Sequence, residues 1–316
     1  MVNPNVSNGL GRARATLEFL PDLTGKTIVI TGANSGLGYE CTRVFAGAGA
    51  YVVMGCRSAQ RADEAIRRIH AEIPKAEVEF LELDLASLAS IRAFADQALK
   101  HLRRINILCN NAADNAFRPK ISRTRDGFEA HFGINHFGHF ALTGLLFDKI
   151  QASTPARIVT VTARGRDESA PGINFDDLQC TQHYSAMRAY INSKLANLLF
   201  TCELDRRLHT CDIDIKAVSC TPGPTHTNLL KRQPLWVKLF FRPFSQSPIN
   251  GALSEIYAAV GEDIDGGDYI GRGGNTLMMR FHRLRKLKPS THACDPEVSN
   301  RLWTISEEMT GVRFLD

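Results

Sequence analysis

The sequence predicts an α/β fold, a single domain built on a doubly wound parallel sheet of the Rossmann type. Three observations predict it. Short β-branched runs alternate with stretches of helical periodicity along most of the 316 residues. The runs are apolar almost throughout, as strands covered on both faces are. A glycine-rich turn, Gly32 to Gly38, follows the first run and opens the first helical stretch. Right-handed crossovers make such a series a doubly wound sheet.

The elements follow in order. TIVIT (27–31) is the first strand, and Gly36 to about Ala48 the first helix. YVVMGC (51–56) is the second strand. ADEAIRRIHAEI (62–73) has helical spacing and stops at Pro74. VEFLEL (78–83) is the third strand, and SLASIRAFADQALKHL (87–102) an amphipathic helix with Ser87 as its N-cap. INILCN (105–110) is the fourth strand, before a long helical segment from about Asp126 to Ile150. RIVTVT (157–162) is the fifth strand, SAMRAYINSKLANLLFTCELDRRL (185–208) a long helix, and IDIKAVSC (213–220) the sixth strand, closed by Thr221-Pro222-Gly223. Residues 1–24 read as an N-terminal arm, 25–270 as the domain proper, and 271–316 as a C-terminal extension packed on it.

Bulk properties narrow the function classes. Apolar residues make up 44% and charged residues 22%, as in soluble globular proteins. A net charge of +5 without a basic stripe interleaved with aromatics argues against a nucleic-acid partner. The cluster Arg280, Arg283, Arg285, Lys286 and Lys288 reads as a solvated surface. The eight cysteines form no C-x-x-C pair and no metal spacing, so the expectation is no metal and reduced thiols in a cytoplasmic protein. The N-terminal arm lacks the apolar core of a signal peptide, and no stretch is apolar enough for a transmembrane span.

The turn Thr31-Gly32-Ala33-Asn34-Ser35-Gly36-Leu37-Gly38 lies between a strand and a helix. Glycines there let backbone approach a phosphate, and the helix N-terminus offers N–H groups and a positive dipole end. Gly32, Asn34, Ser35, Gly36, Leu37 and Gly38 are therefore candidate dinucleotide-binding residues. An acid at the end of the second strand would take the 2′-hydroxyl of NAD. This chain has Gly55-Cys56-Arg57-Ser58 instead, and Arg57 suits a 2′-phosphate, so the expected cofactor is NADP(H). Asp84-Leu85 and Asn110-Asn111-Ala112-Ala113 lie at strand C-termini, where such sheets bind ligands. Turn chemistry is the other reading of those Asn and Asp residues.

Tyr190 and Lys194 are four apart on one helix face. A free phenol near pKa 10 is a poor acid or base at neutral pH. A neighbouring ammonium stabilises the tyrosinate and brings that value down.

With these residues in view, the chain resembles the short-chain dehydrogenase/reductase family. The carrying residues are Thr31 to Gly38, Asn110 to Ala113, Asn135, Tyr190-x-x-x-Lys194 and Pro222-Gly223. More narrowly it resembles the branch containing the retinol dehydrogenases and the WW-domain-containing oxidoreductase, through GINHFGHFALT (133–143), INFDDLQ (173–179), AYINSKLANLLFTCELDRRL (189–208) and RLWTISEEMTGV (301–312). The resemblance implies roles. Tyr190 would be the acid/base on the substrate oxygen, and Lys194 would also bind the nicotinamide ribose. Asn135 would hold a water for a proton relay, and Thr227, after Pro222-Gly223, would bond the carboxamide.

The chain also departs from the family. Where relatives carry Ser-Ser, with the second serine catalytic, it has Thr162-Ala163. Loss of one oxyanion donor lowers rates roughly a hundred- to a thousand-fold. Thr162, or Ser169 in the next loop, is the candidate substitute. Ala113 stands at the family's glycine, and Ser219-Cys220-Thr221 replaces the usual His before the proline. The leading expectation is an NADP(H)-dependent carbonyl reductase or alcohol dehydrogenase. Ala163 keeps two others open, a non-redox isomerase or cyclase on the same frame and an NADP(H)-sensing binding protein.

PLWVKLFFRPF (234–244) falls in the expected substrate lid, about 225–245, and its apolar character implies a hydrophobic small-molecule substrate. Peripheral membrane contact and plain core packing are its other readings. His136 and His139 read as packing residues, and His183 and Tyr184 as loop residues near a pocket mouth. The two long helices, 126–150 and 185–208, are long enough to pair across a homodimer.

Overall fold

β1 (Thr27–Thr31) is buried at every residue, as its β-branched sequence requires of a central strand. The computed structural model describes residues 17, 19–115, 118–163, 172–182, 184–223, 225, 247–273, 283–289 and 291–315. In it β1 pairs in parallel with β2 (Tyr51–Cys56) on one side and β4 (Ile107–Asn110) on the other. β3 (Glu77–Glu82) lies outside β2, and β5 (Ala156–Val161) and β6 (Ile215–Cys220) follow β4. The full order is β3-β2-β1-β4-β5-β6-β7-β8, eight strands in one sheet. All pairings are parallel except the last. The sequence reading of a doubly wound parallel α/β sheet holds.

Two strands were not expected. β7 (Tyr269–Arg272) extends the parallel sheet, and β8 (Leu284–Leu287) closes it antiparallel. β7 is buried at Tyr269, Ile270 and Gly271 but has only four residues, and β8 is as short and half charged, so neither run stands out in the sequence. Lys286 of β8 is fixed by Asp268 at 2.7 Å and Asp265 at 3.3 Å.

Helices cover both faces. α1 (Gly36–Gly47) and α2 (Ala59–Glu72) lie on the side that packs Phe45, Ile69 and Met54. α3 (Leu88–His101), α4 (Gly138–Gln151) and α5 (Ala186–Thr210) cover the other, around Phe94, Phe140 and Phe200. Each such buried phenylalanine contributes roughly 2–3 kcal/mol of burial free energy. Serine caps set three starts: Ser58 accepts from Arg61 N–H, Ser87 from Ser90 N–H and Ser185 from Arg188 N–H. Toward the C-terminus, α6 (Pro248–Val260) joins the α1 face. α7 (Pro296–Thr310) buries Trp303 beside Phe140 and Phe200. Asp295 caps α7 through Glu297 and Val298 N–H, and Gly311, at φ 63°, ends it.

The segment before α4 departs from regular geometry. A short α turn, Ala130–Phe132, runs through a π-helical turn, Gly133–Phe137, into α4. Such turns gather at functional positions because they re-aim one side chain without breaking the helix. Here the re-aimed stretch carries Asn135.

One expectation is corrected. Cys202 of α5 and Cys294, in a 3-10 turn (Thr291–Cys294), form a disulfide, so the cysteines are not all reduced thiols. The partners are 92 residues apart and meet only because the C-terminal segment docks on α5, so no spacing rule could find them. Among the described residues, no helix is long and apolar enough to cross a membrane, and no group of His, Cys, Asp and Glu could hold a metal ion.

Candidate active site

The C-terminal ends of β1, β4, β5 and β6 meet where β1 and β4 lie side by side. The chain winds outward in opposite directions from this pair, which makes it the crevice where open α/β sheets bind ligands.

The glycine turn shapes one wall. Gly32 at φ 67° and Gly36 at φ 58° hold left-handed conformations that favour glycine. Gly38 has a different constraint. A Cβ there would fall 2.5 Å from Asn111 Nδ2 and 2.7 Å from the Gly32 carbonyl oxygen. Ser35 occupies the N-cap of α1, yet its hydroxyl does not bond back into the helix. First-turn N–H groups therefore stay open to another acceptor, and the helix dipole favours an anion there. Asn34 is half-buried beside them, and Leu37 packs on the adjoining core. Arg57 is exposed at the end of β2, and no ion pair or hydrogen bond holds it among the described residues. Asp84 accepts from Ala86 N–H at 3.1 Å and lies 3.6 Å from Arg125, closing its own turn, while Leu85 is buried.

Thr31 joins this wall to the next. Its hydroxyl oxygen accepts from Asn111 N–H at 3.0 Å and from Ala112 N–H at 2.9 Å. Asn111 Nδ2 donates back to the Thr31 carbonyl at 2.6 Å. A cradle of close-packed glycines and open amides fits the pyrophosphate of a dinucleotide.

The catalytic candidates stand opposite. Asn135 is fully buried, and its side chain is a clamp rather than an open group. Its Oδ1 accepts from Asp114 N–H at 2.7 Å, and Nδ2 donates to the Asp114 carbonyl at 3.0 Å and to Ser193 Oγ at 2.9 Å. Ser193 in turn donates to the Tyr190 carbonyl at 2.7 Å. Tyr190 is half-buried on α5, with the His131 ring edge-on at 6.1 Å. Lys194 is 3% exposed and donates from Nζ to the Val161 carbonyl at 2.8 Å. Burial holds its ammonium down at about 8. Asn197 donates to the same carbonyl at 3.1 Å.

Thr162 is placed differently from the expectation of a substitute oxyanion donor. Its hydroxyl donates to the Lys194 carbonyl at 2.7 Å and its N–H to the Cys220 carbonyl at 2.8 Å. A hydroxyl has one proton, and this one faces α5. Pro222 and Gly223, the latter at φ 68°, follow β6, and Thr225 donates to the Gly223 carbonyl at 3.1 Å. Thr227, Ser169, His183, Arg280 and the segment 234–244 lie outside the described residues.

The structure brings Thr31, Asn111, Ala112, Asn135, Thr162, Tyr190 and Lys194 to one edge of the sheet. Sequence reasoning missed Ser193 and Asp114, which hold Asn135; only their nearness to Lys194 and Asn111 in the chain pointed to them. His136 packs as expected, bonded to Ser306 Oγ at 2.8 Å and set among Phe132, Phe137 and Phe200.

Known proteins share this arrangement of chain. Residues 26–238 match the short chain dehydrogenase family. Retinol dehydrogenase 14 of Homo sapiens is 39% identical over 309 residues, covering 91% of this chain and 87% of that protein. The WW domain-containing oxidoreductase of Homo sapiens is 38% identical over 302 residues, covering 93% of this chain and 70% of that protein. The crystal structure of an uncharacterized protein from Mycobacterium paratuberculosis aligns with a TM-score of 0.76 at 36% identity, over 93% of this chain and 97% of that one. Matches of that extent, over a sheet that presents the glycine turn and the Tyr190/Lys194 helix at one edge, place the chain in the short-chain dehydrogenase/reductase family, as an oxidoreductase related to the retinol dehydrogenases.

Proposed function

We propose that the protein is an NADP(H)-dependent oxidoreductase that interconverts a ketone or aldehyde with an alcohol on a hydrophobic substrate, with Tyr190 as acid/base. The observation that carries the reading is the seating of Lys194, a buried ammonium one turn from Tyr190 and anchored to the end of β5. The coenzyme, when bound, supplies or accepts the hydride at the substrate carbon. Tyr190 supplies the matching proton to the substrate oxygen in reduction and takes it back in oxidation. The ammonium of Lys194 favours the tyrosinate. Asn135 braces the loop at Asp114 against α5 through Ser193. Arg57 supports NADP(H) over NAD(H) through its open guanidinium. The relatives named for retinol support an apolar alcohol or aldehyde as substrate.

Thr162 serves here as a brace for the turn that carries Lys194. The donor that Ala163 lacks is then not supplied by Thr162. This observation favours one second reading, an isomerase- or cyclase-type enzyme on the same frame with NADP(H) retained for structure.

The test is Tyr190→Phe with all-trans-retinal and NADPH. Loss of turnover with unchanged NADPH binding supports the first reading. A wild-type enzyme that binds NADPH and leaves it unoxidised across a panel of apolar carbonyls supports the second.

A further inference from the structure

We propose that His139 is a positioning residue that ties the coenzyme wall of the site to the catalytic wall, and that it does so as the neutral Nδ1–H tautomer. The inference rests on the functional reading above for its consequence, not for its geometry. His139 is 1% exposed and lies on α4, one turn after Asn135.

The proton positions follow from the partners. A threonine hydroxyl has one proton and two lone pairs. Both lone pairs of Thr31 are engaged by Asn111 N–H and Ala112 N–H. Its proton must therefore point away from them. His139 Nε2 lies 2.9 Å away, against 3.4 Å to the Cys109 carbonyl, so Nε2 is the preferred acceptor. On the other edge of the ring, Nδ1 is 2.9 Å from the Asn135 carbonyl, which can only accept. Nδ1 therefore carries the proton. A cationic ring would set a second N–H against Thr31 with no lone pair left to receive it. Burial favours the same neutral form, drawing the ring down to about 4.

This bond pattern separates His139 from His136. The Nε2 atom of His136 bonds Ser306 in the C-terminal helix, away from the site. His139 spans 108 residues of sequence to join β1 to the π-helical turn. Past Asn135 the same chain of bonds continues through Ser193 to the Tyr190 carbonyl. One ring thus holds the loop that would face the coenzyme phosphates and nicotinamide at a set distance from the helix that carries the acid/base.

Two substitutions divide its arms. His139→Asn keeps an N–H near Nδ1 for Asn135 and removes the acceptor for Thr31. His139→Gln keeps an acceptor near Nε2 and removes the donor to Asn135. Loss of one hydrogen bond of this kind is worth roughly a tenfold effect. In the full chain, H139N should raise the NADPH Kd about tenfold, a larger effect than its slowing of the single-turnover rate with all-trans-retinal at saturating NADPH. H139Q should do the reverse. A merely structural histidine would lower both together, in step with lost stability, and that outcome overturns the proposal, as does no effect in either variant. Nitrogen-15 spectra of wild-type histidines need no variant to fold. A neutral ring protonated at Nδ1 at neutral pH is expected, and Nε2–H or an imidazolium refutes the assignment. If retinal is not reduced at all, the functional reading fails, while the tautomer and the NADPH affinity of H139N still decide the role of His139.

Discussion

The Lys194 ammonium and the Val161 carbonyl stand 2.8 Å apart at the end of β5, with the Thr162 hydroxyl bonded to the carbonyl of Lys194 itself. Strand and helix are thus fastened twice at the point where the acid/base would work. The fastening takes the ammonium out of water, and one carbonyl does not replace its hydration. Its value falls from 10.5 to about 8. Between those pH values the unfolded chain holds a proton that the folded chain has released, so this group makes stability rise with pH from 8 to 10.5. Below that window the burial penalty is fully present, about 3 kcal/mol. Lys194→Met removes the slope. Denaturant unfolding of both proteins across the window should show the wild type gaining about 3 kcal/mol on the variant, and parallel curves contradict the burial argument. Turnover that needs the ammonium should decline as pH rises through about 8.

Gly38 is a tighter joint of the glycine turn than Gly32. An added Cβ would press on Asn111 Nδ2, the group that donates to the Thr31 carbonyl. Gly38→Ala should weaken NADPH binding by more than roughly tenfold and destabilise by about 1–3 kcal/mol through overpacking. Gly25→Ala is the contrast, since Gly25 also has positive φ, 76°, but nothing lies within 4 Å of its would-be Cβ. It should show backbone strain of about 1 kcal/mol and unaltered NADPH affinity. Equal losses of affinity in the two variants refute the joint.

The proposed preference for NADP(H) over NAD(H) rests on Arg57, exposed at the end of β2. A charge-assisted contact to a 2′-phosphate is worth about 1.5–3 kcal/mol, a factor of roughly ten to a hundred. Arg57→Ala should weaken NADPH binding by that factor and leave NADH binding as it was, both read by nucleotide fluorescence. A variant that weakens both nucleotides alike shows that Arg57 does not read the phosphate.

The Cys202–Cys294 bond closes a loop of 92 residues between α5 and the segment leading into α7. A cross-link over such a loop stabilises by about 2–4 kcal/mol, chiefly by restricting the unfolded chain. Cys202→Ser should lower the urea midpoint accordingly and abolish the effect of reductant on it. Wild-type midpoints that coincide with and without dithiothreitol contradict the cross-link.

Five of the first six strands, β1, β2, β4, β5 and β6, were legible because each is buried along nearly all its length, as in Val52-Val53-Met54, and the edge strand β3 was legible through Val78, Phe80 and Leu81. β8 was not, because an edge strand with Arg285 and Lys286 facing solvent carries no core signature. At the site, residue types were legible and directions were not. Tyr190, Lys194 and the glycine turn could be named as candidates from their spacing together with their places after β5 and β1. That Thr162 turns its proton toward α5 depends on the register of β5 against that helix, which no local pattern encodes. The Thr31–His139 bond is hidden for the same reason, since its partners meet only once the helix after β4 has packed beside β1.

Glu255 is the residue that sequence reasoning passed over and the fold makes most costly. It sits on α6 at 1% exposure, against the sheet face that also buries Cys41, Cys109 and Cys220. Among the described residues neither carboxyl oxygen has an N–H or O–H partner, and the donors beside it are the thiols of Cys41 and Cys109. Thiols are weak donors, so burial dominates and raises the acid from 4.5 to about 7. Between those values the folded chain holds a proton that the unfolded chain has lost, so stability contributed by this group declines as pH rises from 4.5 to 7. Glu255→Gln carries no such dependence. Its own buried amide leaves unmet hydrogen bonds at every pH, which shifts the whole curve but not its slope. Relative to the wild type, the variant should therefore gain about 3 kcal/mol between the two ends of the window, measured by denaturant unfolding. A constant difference would show that the carboxyl finds a partner strong enough to keep it ionised, and the ammonium of Lys194, which already draws it that way, is the group to examine by repeating the measurement in Lys194→Met.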